Sequence, residues 1–271
     1  MPGWTVDAPT KLDFDDVSDL YVRLVAGTVA VLASDDRPAL VVTELSGRPL
    51  HVTHEDGTLT VSYESLTWEG LLGFLKPRRD TAEITISVPA DCAIQLGVLS
   101  ASAVVSGLRS GASVKGMSGD ITLDGVTGDV DAETMSGELA ARDLAGSVRF
   151  KSMSGALALA SGCLDGLAAN TMSGHVTADF ALGEGGQVRV STMSGDVTLR
   201  LPADSDAEVR LRSTSGAVRS EFDSLRTIQA PASRTVSGNV GAGTGRVSVT
   251  TMSGSVTLLR RAPVEMESKA R

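Results

Sequence analysis

Aromatic side chains are scarce in this sequence: two Trp, two Tyr and five Phe among 271 residues. A large core built on rings is excluded, so small aliphatic side chains must do the packing. Cysteine is nearly absent too, and Cys92 and Cys163 supply neither a disulfide framework nor a metal-ligand spacing. The histidines are His51, His54 and His175; the first two, three apart on an expected strand, face opposite sides and make a poor ligand pair. With 24 basic against 33 acidic residues, the charge balance excludes a diffuse nucleic-acid footprint. The longest apolar run, 20–33, is interrupted by Arg23 and Gly27 and is too short to span a bilayer. The start, Met1-Pro-Gly-Trp-Thr-Val-Asp, lacks a basic region followed by an apolar one, which leads to the expectation of a soluble, cytoplasmic protein.

Signatures of chemistry are missing as well. There is no Gly-x-Ser-x-Gly elbow, no P-loop and no Gly-x-Gly-x-x-Gly between a strand and a helix. No catalytic residue, cofactor, metal or small-molecule substrate is expected. Carboxylates follow some repeat corners, at Asp120, Asp129, Glu138 and Asp196, but their places are taken elsewhere by Ala156, His175, Ala217, Asn239 and Ser255. They read as solvated corner residues, with a carboxylate pair acting on sugars as the alternative.

What the sequence does have is repetition. Met-Ser-Gly occurs at 117–119, 135–137, 153–155, 172–174, 193–195 and 252–254, with Thr214-Ser215-Gly216 and Val236-Ser237-Gly238 as relatives. The eight glycines, Gly119, Gly137, Gly155, Gly174, Gly195, Gly216, Gly238 and Gly254, are 18, 18, 19, 21, 21, 22 and 16 residues apart. Gly128 and Gly146 halve the first intervals. After each glycine comes one variable residue and then alternating apolar ones, as in Ile121/Leu123, Leu139/Ala141, Val197/Leu199 and Val256/Leu258. Alternation over four or five residues, closed by glycine, describes a half-buried strand and a turn. An 18-residue unit is then two strands and two corners, unable to bury its apolar face except against its neighbours. The fold class expected is all-β: a single-chain β-solenoid of about eight coils, on the order of 40 Å long. Methionine is read here as pointing inward, a flexible filler stacked at Met117, Met135, Met153, Met172, Met193 and Met252. The alternative is a thioether ladder for soft metals.

Residues 1–98 carry no Ser-Gly repeat yet read as β, with a hairpin signal at Glu55-Asp56-Gly57. This β-rich region caps or begins the stack; residues 99–260 form its body and 261–271 a short charged tail. One stretch breaks the polar-loop rule. Between two expected strands lie Trp68, Leu71, Leu72, Phe74 and Leu75, followed by Lys76, Arg78 and Arg79. It either folds back over a solenoid end or contacts a partner or membrane surface.

The Ser-Gly-Asp-Ile/Val repeats, the strand leads Pro89-Ala-Asp and Pro202-Ala-Asp, and the β-rich amino-terminal region resemble the bacterial "putative adhesin" domain family. That family is common in actinobacteria and long catalogued as a domain of unknown function. The resemblance covers about residues 10–260 and implies a β-solenoid without known catalytic residues, associated with envelope-stress or membrane-linked systems. A looser similarity is to bactofilins, β-solenoids that polymerise end to end. The function expected is that of a non-enzymatic scaffold, self-associating or binding a protein partner, with peripheral membrane contact as a further option. Glycan binding, or action on polysaccharides, is the alternative.

Overall fold

The computed structural model describes residues 3–63, 80–230 and 233–262. Within them the protein is all-β: 21 strands joined through hydrogen bonds into one layered sheet. The centre of the chain shows how the repeats act. Strands β8 (Ala93–Ser106), β9 (Ala112–Ser118), β10 (Ile121–Asp124), β11 (Val130–Ser136) and β12 (Glu138–Ser152) wind around a shared interior. β8 pairs with β9 and β10, β9 with β11, and β12 with both β10 and β11, so these five parallel strands close on themselves. The 18-residue repeat becomes the register: Ile121 lies opposite Ala103 and Leu139, and Val130 opposite Ala112 and Val148.

Strands β13 (Ala156–Thr171), β14 (Val176–Thr192) and β15 (Val197–Pro202) add further layers in sequence order. One inward position can be followed through them as Ile121, Leu139, Leu157, Val176 and Val197, each no more than 1% exposed. Burying such a side chain contributes roughly 1.5–3 kcal/mol. No layer could keep its aliphatics dry without the next one.

Beyond β15 the order in space departs from the order in sequence. Val197 pairs with Val256 of β21 (Val256–Arg261), and Val256 pairs in turn with Val218 of β17 (Val218–Ser220). Likewise β14 pairs with β20 (Gly245–Thr251), which pairs with β16 (Ala207–Ser213). The last layer in sequence is thus inserted between two earlier ones, and the expected run of eight sequential coils gives way to a layered, partly reordered stack. The reason lies at the open end. The outer edge of β16 is covered by the antiparallel strand β19 (Ser233–Val240), which is covered by β18 (Arg226–Ala230). Having built this hairpin, the chain returns beneath it. Gly238 belongs to the hairpin, opposite Val209, and does not stand with the other repeat glycines.

The amino-terminal end is finished the same way. β3 (Asp19–Ala33) lies parallel to β8, and β6 (Thr58–Ser62) and β7 (Thr81–Val88) lie parallel along its other side. Beyond them the pairing turns antiparallel: β4 (Ala39–Ser46) on β7, β2 (Thr10–Asp13) on β4, β5 (Leu50–Glu55) on β6 and β1 (Gly3–Val6) on β5. The turn between β5 and β6 places Asp56 at φ 48° and Gly57 at φ 74°, the two left-handed residues of a tight hairpin. Antiparallel strands at both ends limit the parallel edges left open to other chains. One apolar cluster runs from Val6 to Leu258.

Two devices make the corners. The first is backbone contact. A Cβ on Gly137, whose φ is +121°, would lie 2.4 Å from the carbonyl oxygen of Gly119 in the next layer. At Gly195 the same atom would lie 2.0 Å from the Gly174 carbonyl oxygen. The column runs Gly119, Gly137, Gly155, Gly174, Gly195, Gly254, Gly216, the spatial order of the layers. The second device is a hydroxyl three residues before the glycine. The N–H of Gly174 donates to Thr171 Oγ1 (3.0 Å), that of Gly254 to Thr251 Oγ1 (3.1 Å) and that of Gly216 to Ser213 Oγ (2.8 Å). Thr171, Thr251 and Ser213 are buried, so each satisfies a corner amide that water does not reach. Carboxylates also bridge layers: Asp120 Oδ1 accepts from the N–H of Glu138 (3.0 Å) and Asp196 Oδ1 from that of Ser255 (2.7 Å).

Three outcomes test this account. Gly137→Val forces a β-branched side chain against a carbonyl and should cost about 3 kcal/mol or more, whereas Glu138→Ala should stay within about 0.5 kcal/mol; equal melting temperatures would contradict the corner assignment. Thr251→Val leaves the Gly254 amide without its acceptor and should cost about 1–3 kcal/mol in urea denaturation, more than Thr198→Val on the half-buried face of β15. The two thiols should differ sharply. Burial, then the charge of Asp19, pushes the Cys92 thiol up to about 12, while Cys163 is exposed. A thiol reagent at pH 8 should therefore modify Cys163 in the native protein and reach Cys92 after unfolding; equal native rates would refute the burial.

Candidate functional site

The corner chemistry decides where the methionines point. Side chains of an extended segment alternate between faces. The hydroxyl of Thr134, Thr171, Thr192 or Thr251 takes the inward place, so the methionine that follows is turned out. Met135, Met153, Met172, Met193 and Met252 are each about half exposed (48–56%), and Met117 is half-buried. The inward methionine column expected from the sequence is therefore overturned. Its place in the interior belongs to the threonine or serine, a signal present at every Thr/Ser-Met-Ser-Gly repeat but easy to pass over beside the methionine.

The methionines stay in line because the backbone does. The N–H of Ser154 donates to Met135 O (2.9 Å), Ser173 to Met153 O (2.9 Å), Ser194 to Met172 O (2.9 Å) and Ser253 to Met193 O (3.0 Å). These bonds align five thioethers in one outward column, strand pairing of Gly116 with Thr134 and Ser118 with Ser136 sets the half-buried Met117 in register with them, and the column ends where Thr214 donates its N–H to Thr251 O. At its amino-terminal end the column forms one wall of a groove of about 800 Å³, with Leu24, Leu96, Val98 and Leu99 beyond Met117. That volume and an apolar lining are typical of a binding cleft.

Charge lies along the rim. Lys115, Glu133 and Lys151 occupy one position in three adjacent layers, with Glu133 3.4 Å from Lys115 and 3.0 Å from Lys151. The hydrogen bond from Lys151, with the charge of Lys115, holds the Glu133 carboxyl below its usual range. Exposed pairs of this kind contribute little stability, about 1 kcal/mol at most, but they mark a face with two cations to one anion in an acidic chain.

Of the residues singled out in the sequence, Trp68, Leu71, Leu72, Phe74, Leu75, Lys76, Arg78 and Arg79 lie outside the described residues. What is described is where the strands flanking them stop and start: Ser62 pairs with Arg23 and Thr81 with Ala26, on either side of the groove residue Leu24. The corner carboxylates Asp120 and Asp196 cap amides of neighbouring layers, as described above. His54 packs against the Phe14 ring, with centroids 5.3 Å apart, and its Nε2 is hydrogen-bonded to Asp16 O. Among the described residues no three His, Cys, Asp or Glu side chains converge on a metal position. No described helix is long and apolar enough to cross a membrane.

Comparison with known proteins gives the following. No curated protein matches significantly. Among solved structures, similarity is found to a "putative lipid binding protein" from Parabacteroides distasonis, at 15% identity over 93% of this chain and 97% of that one, with a TM-score of 0.45. A "putative adhesin" from Bacteroides fragilis is 12% identical over 95% and 97%, with a TM-score of 0.42. A "putative cell adhesion protein" from Clostridium sporogenes is 12% identical over 93% and 100%, with a TM-score of 0.25. The cytoplasmic placement expected from the sequence is withdrawn, because the similar proteins named as adhesins carry the name of a surface role. The model of the family described as toastrack DUF4097 matches residues 17–259, most of the length, and the chain belongs to that family.

Proposed function

We propose that this protein is a non-enzymatic scaffold: a stiff solenoid of rungs that offers the methionine groove to a protein partner, a second copy of the chain being the first to test. In this reading residues 1–98 form the amino-terminal cap, 99–260 the body and 261–271 a tail. The observation that carries the reading is the outward methionine column. Monomeric proteins rarely leave large apolar side chains in a continuous line, and methionine is over-used on surfaces that adapt to a partner. The framework beneath is suited to presenting such a line, because each layer is hydrogen-bonded to the next on both sides. The glycan alternative draws no support from the corner carboxylates Asp120 and Asp196, whose oxygens already accept backbone N–H groups.

Sedimentation velocity over a wide range of protein concentration tests the proposal. The wild-type chain should shift from monomer towards dimer as concentration rises. Met135→Glu/Met153→Glu, which places charges in the groove without touching the interior, should remain monomeric with an unchanged melting temperature. A wild-type chain that stays monomeric throughout, or a double variant that associates as well as wild type, would overturn association through the groove.

A further inference from the structure

The same column has a second chemical property that does not depend on which partner covers the groove. We propose that the methionine ladder is a binding site for soft monovalent d¹⁰ cations, Cu(I) or Ag(I), held between thioethers of adjacent layers.

The argument starts from what the position requires. An exposed corner next to a buried hydroxyl needs no large side chain for stability; Thr214 occupies the equivalent place in the outermost layer, with its backbone hydrogen bond intact. If apolar character alone were wanted, leucine or valine would serve. Six of the seven stacked layers instead carry sulfur at this one position: Met117, Met135, Met153, Met172, Met193 and Met252. The serine N–H bonds described above lock the backbones of Met135 to Met252 one layer apart, strand pairing sets Met117 in register with Met135, and four consecutive ones, Met135 to Met193, are equally exposed at 48–51%.

Spacing then matches coordination. Neighbouring strands lie about 4.8 Å apart. Side chains that leave equivalent positions with the same torsion angles bring their sulfurs to about that separation. A zinc–thiolate bond is roughly 2.3 Å, and two metal–sulfur bonds of about that length arranged linearly span about one layer spacing. Linear two-coordination is a geometry that Cu(I) and Ag(I) accept. Ligand type provides the selectivity: a neutral thioether is a soft donor, suited to Cu(I) and poor for Mg²⁺, Ca²⁺ or Zn²⁺. The charges of Lys115 and Lys151 on the rim, offset in part by Glu133, oppose any cation and a divalent one more than a monovalent one. Binding needs no redox step: the ion arrives and leaves in the monovalent state.

The test uses the full chain carrying Cys163→Ser, because an exposed thiol would itself capture the metal. Ag(I) is added as the nitrate in chloride-free buffer and read by native mass spectrometry and by the ε-methyl resonances of ¹³C-labelled methionine. One or more Ag(I) ions should be retained per chain. The resonances of the six ladder methionines should move, while those of Met1 and Met266 stay in place. Met135→Leu/Met172→Leu/Met252→Leu leaves no two thioethers in adjacent layers, keeps the apolar volume and should lose the bound ions while melting like its parent. Zn(II) should leave both spectra unchanged. No retained Ag(I), or equal retention by the triple leucine variant, would overturn the proposal. The leucine variant also separates this site from the scaffold reading: it keeps the groove apolar and so should still associate, whereas the glutamate variant should not.

Discussion

Everything in this fold depends on how closely one layer's backbone can approach the next at the repeat corner. At Gly137 and Gly195 the carbonyl oxygen of the neighbouring layer lies where a side chain would begin. The close approach lets parallel ladders continue without interruption around the bend, and it keeps Ile121, Leu139, Leu157, Val176 and Val197 in one dry line. A wider corner would separate the layers locally and open the interior to water. The hydroxyl of Thr171, Ser213 or Thr251 completes the arrangement, because a corner this tight buries an amide that no neighbouring strand can reach.

From that one constraint the surface follows. Once the hydroxyl is inside, the next side chain is outside, and a repeat that keeps the corner keeps the outward methionine in register with it. A line of thioethers on the outer wall is thus geometrically coupled to the interior. The same coupling sets Lys115, Glu133 and Lys151 in a row on the rim, so polar and apolar stripes run side by side along the direction of stacking.

Much of this could be read from the residues alone. Alternation after each glycine marked the strands, the 18-residue interval marked the register, and Glu55-Asp56-Gly57 marked its hairpin. What escaped has a common cause: periodicity says that units are alike, not which of them touch. Gly216, Gly238 and Gly254 look equivalent in the sequence, yet Gly254 stacks on Gly195, Gly216 lies beyond it, and Gly238 pairs antiparallel with Val209. Local pattern holds no trace of that order, because it is set by covering an open edge. The orientation of methionine escaped for a different reason. Its apolar character suggested the interior, whereas the neighbouring hydroxyl, with an amide to satisfy, had the stronger claim to it.

The insertion of β20 and β21 between earlier layers makes the outer layer dependent on the end of the chain. As far as β15 each layer rests on the surface left by the one before it in sequence. Val218 then has no floor beneath it until Val256 arrives. The part of the chain after β15, about a quarter of its length, is for that reason complete only when β20 and β21 are in place. Truncation there removes a middle storey, not the roof.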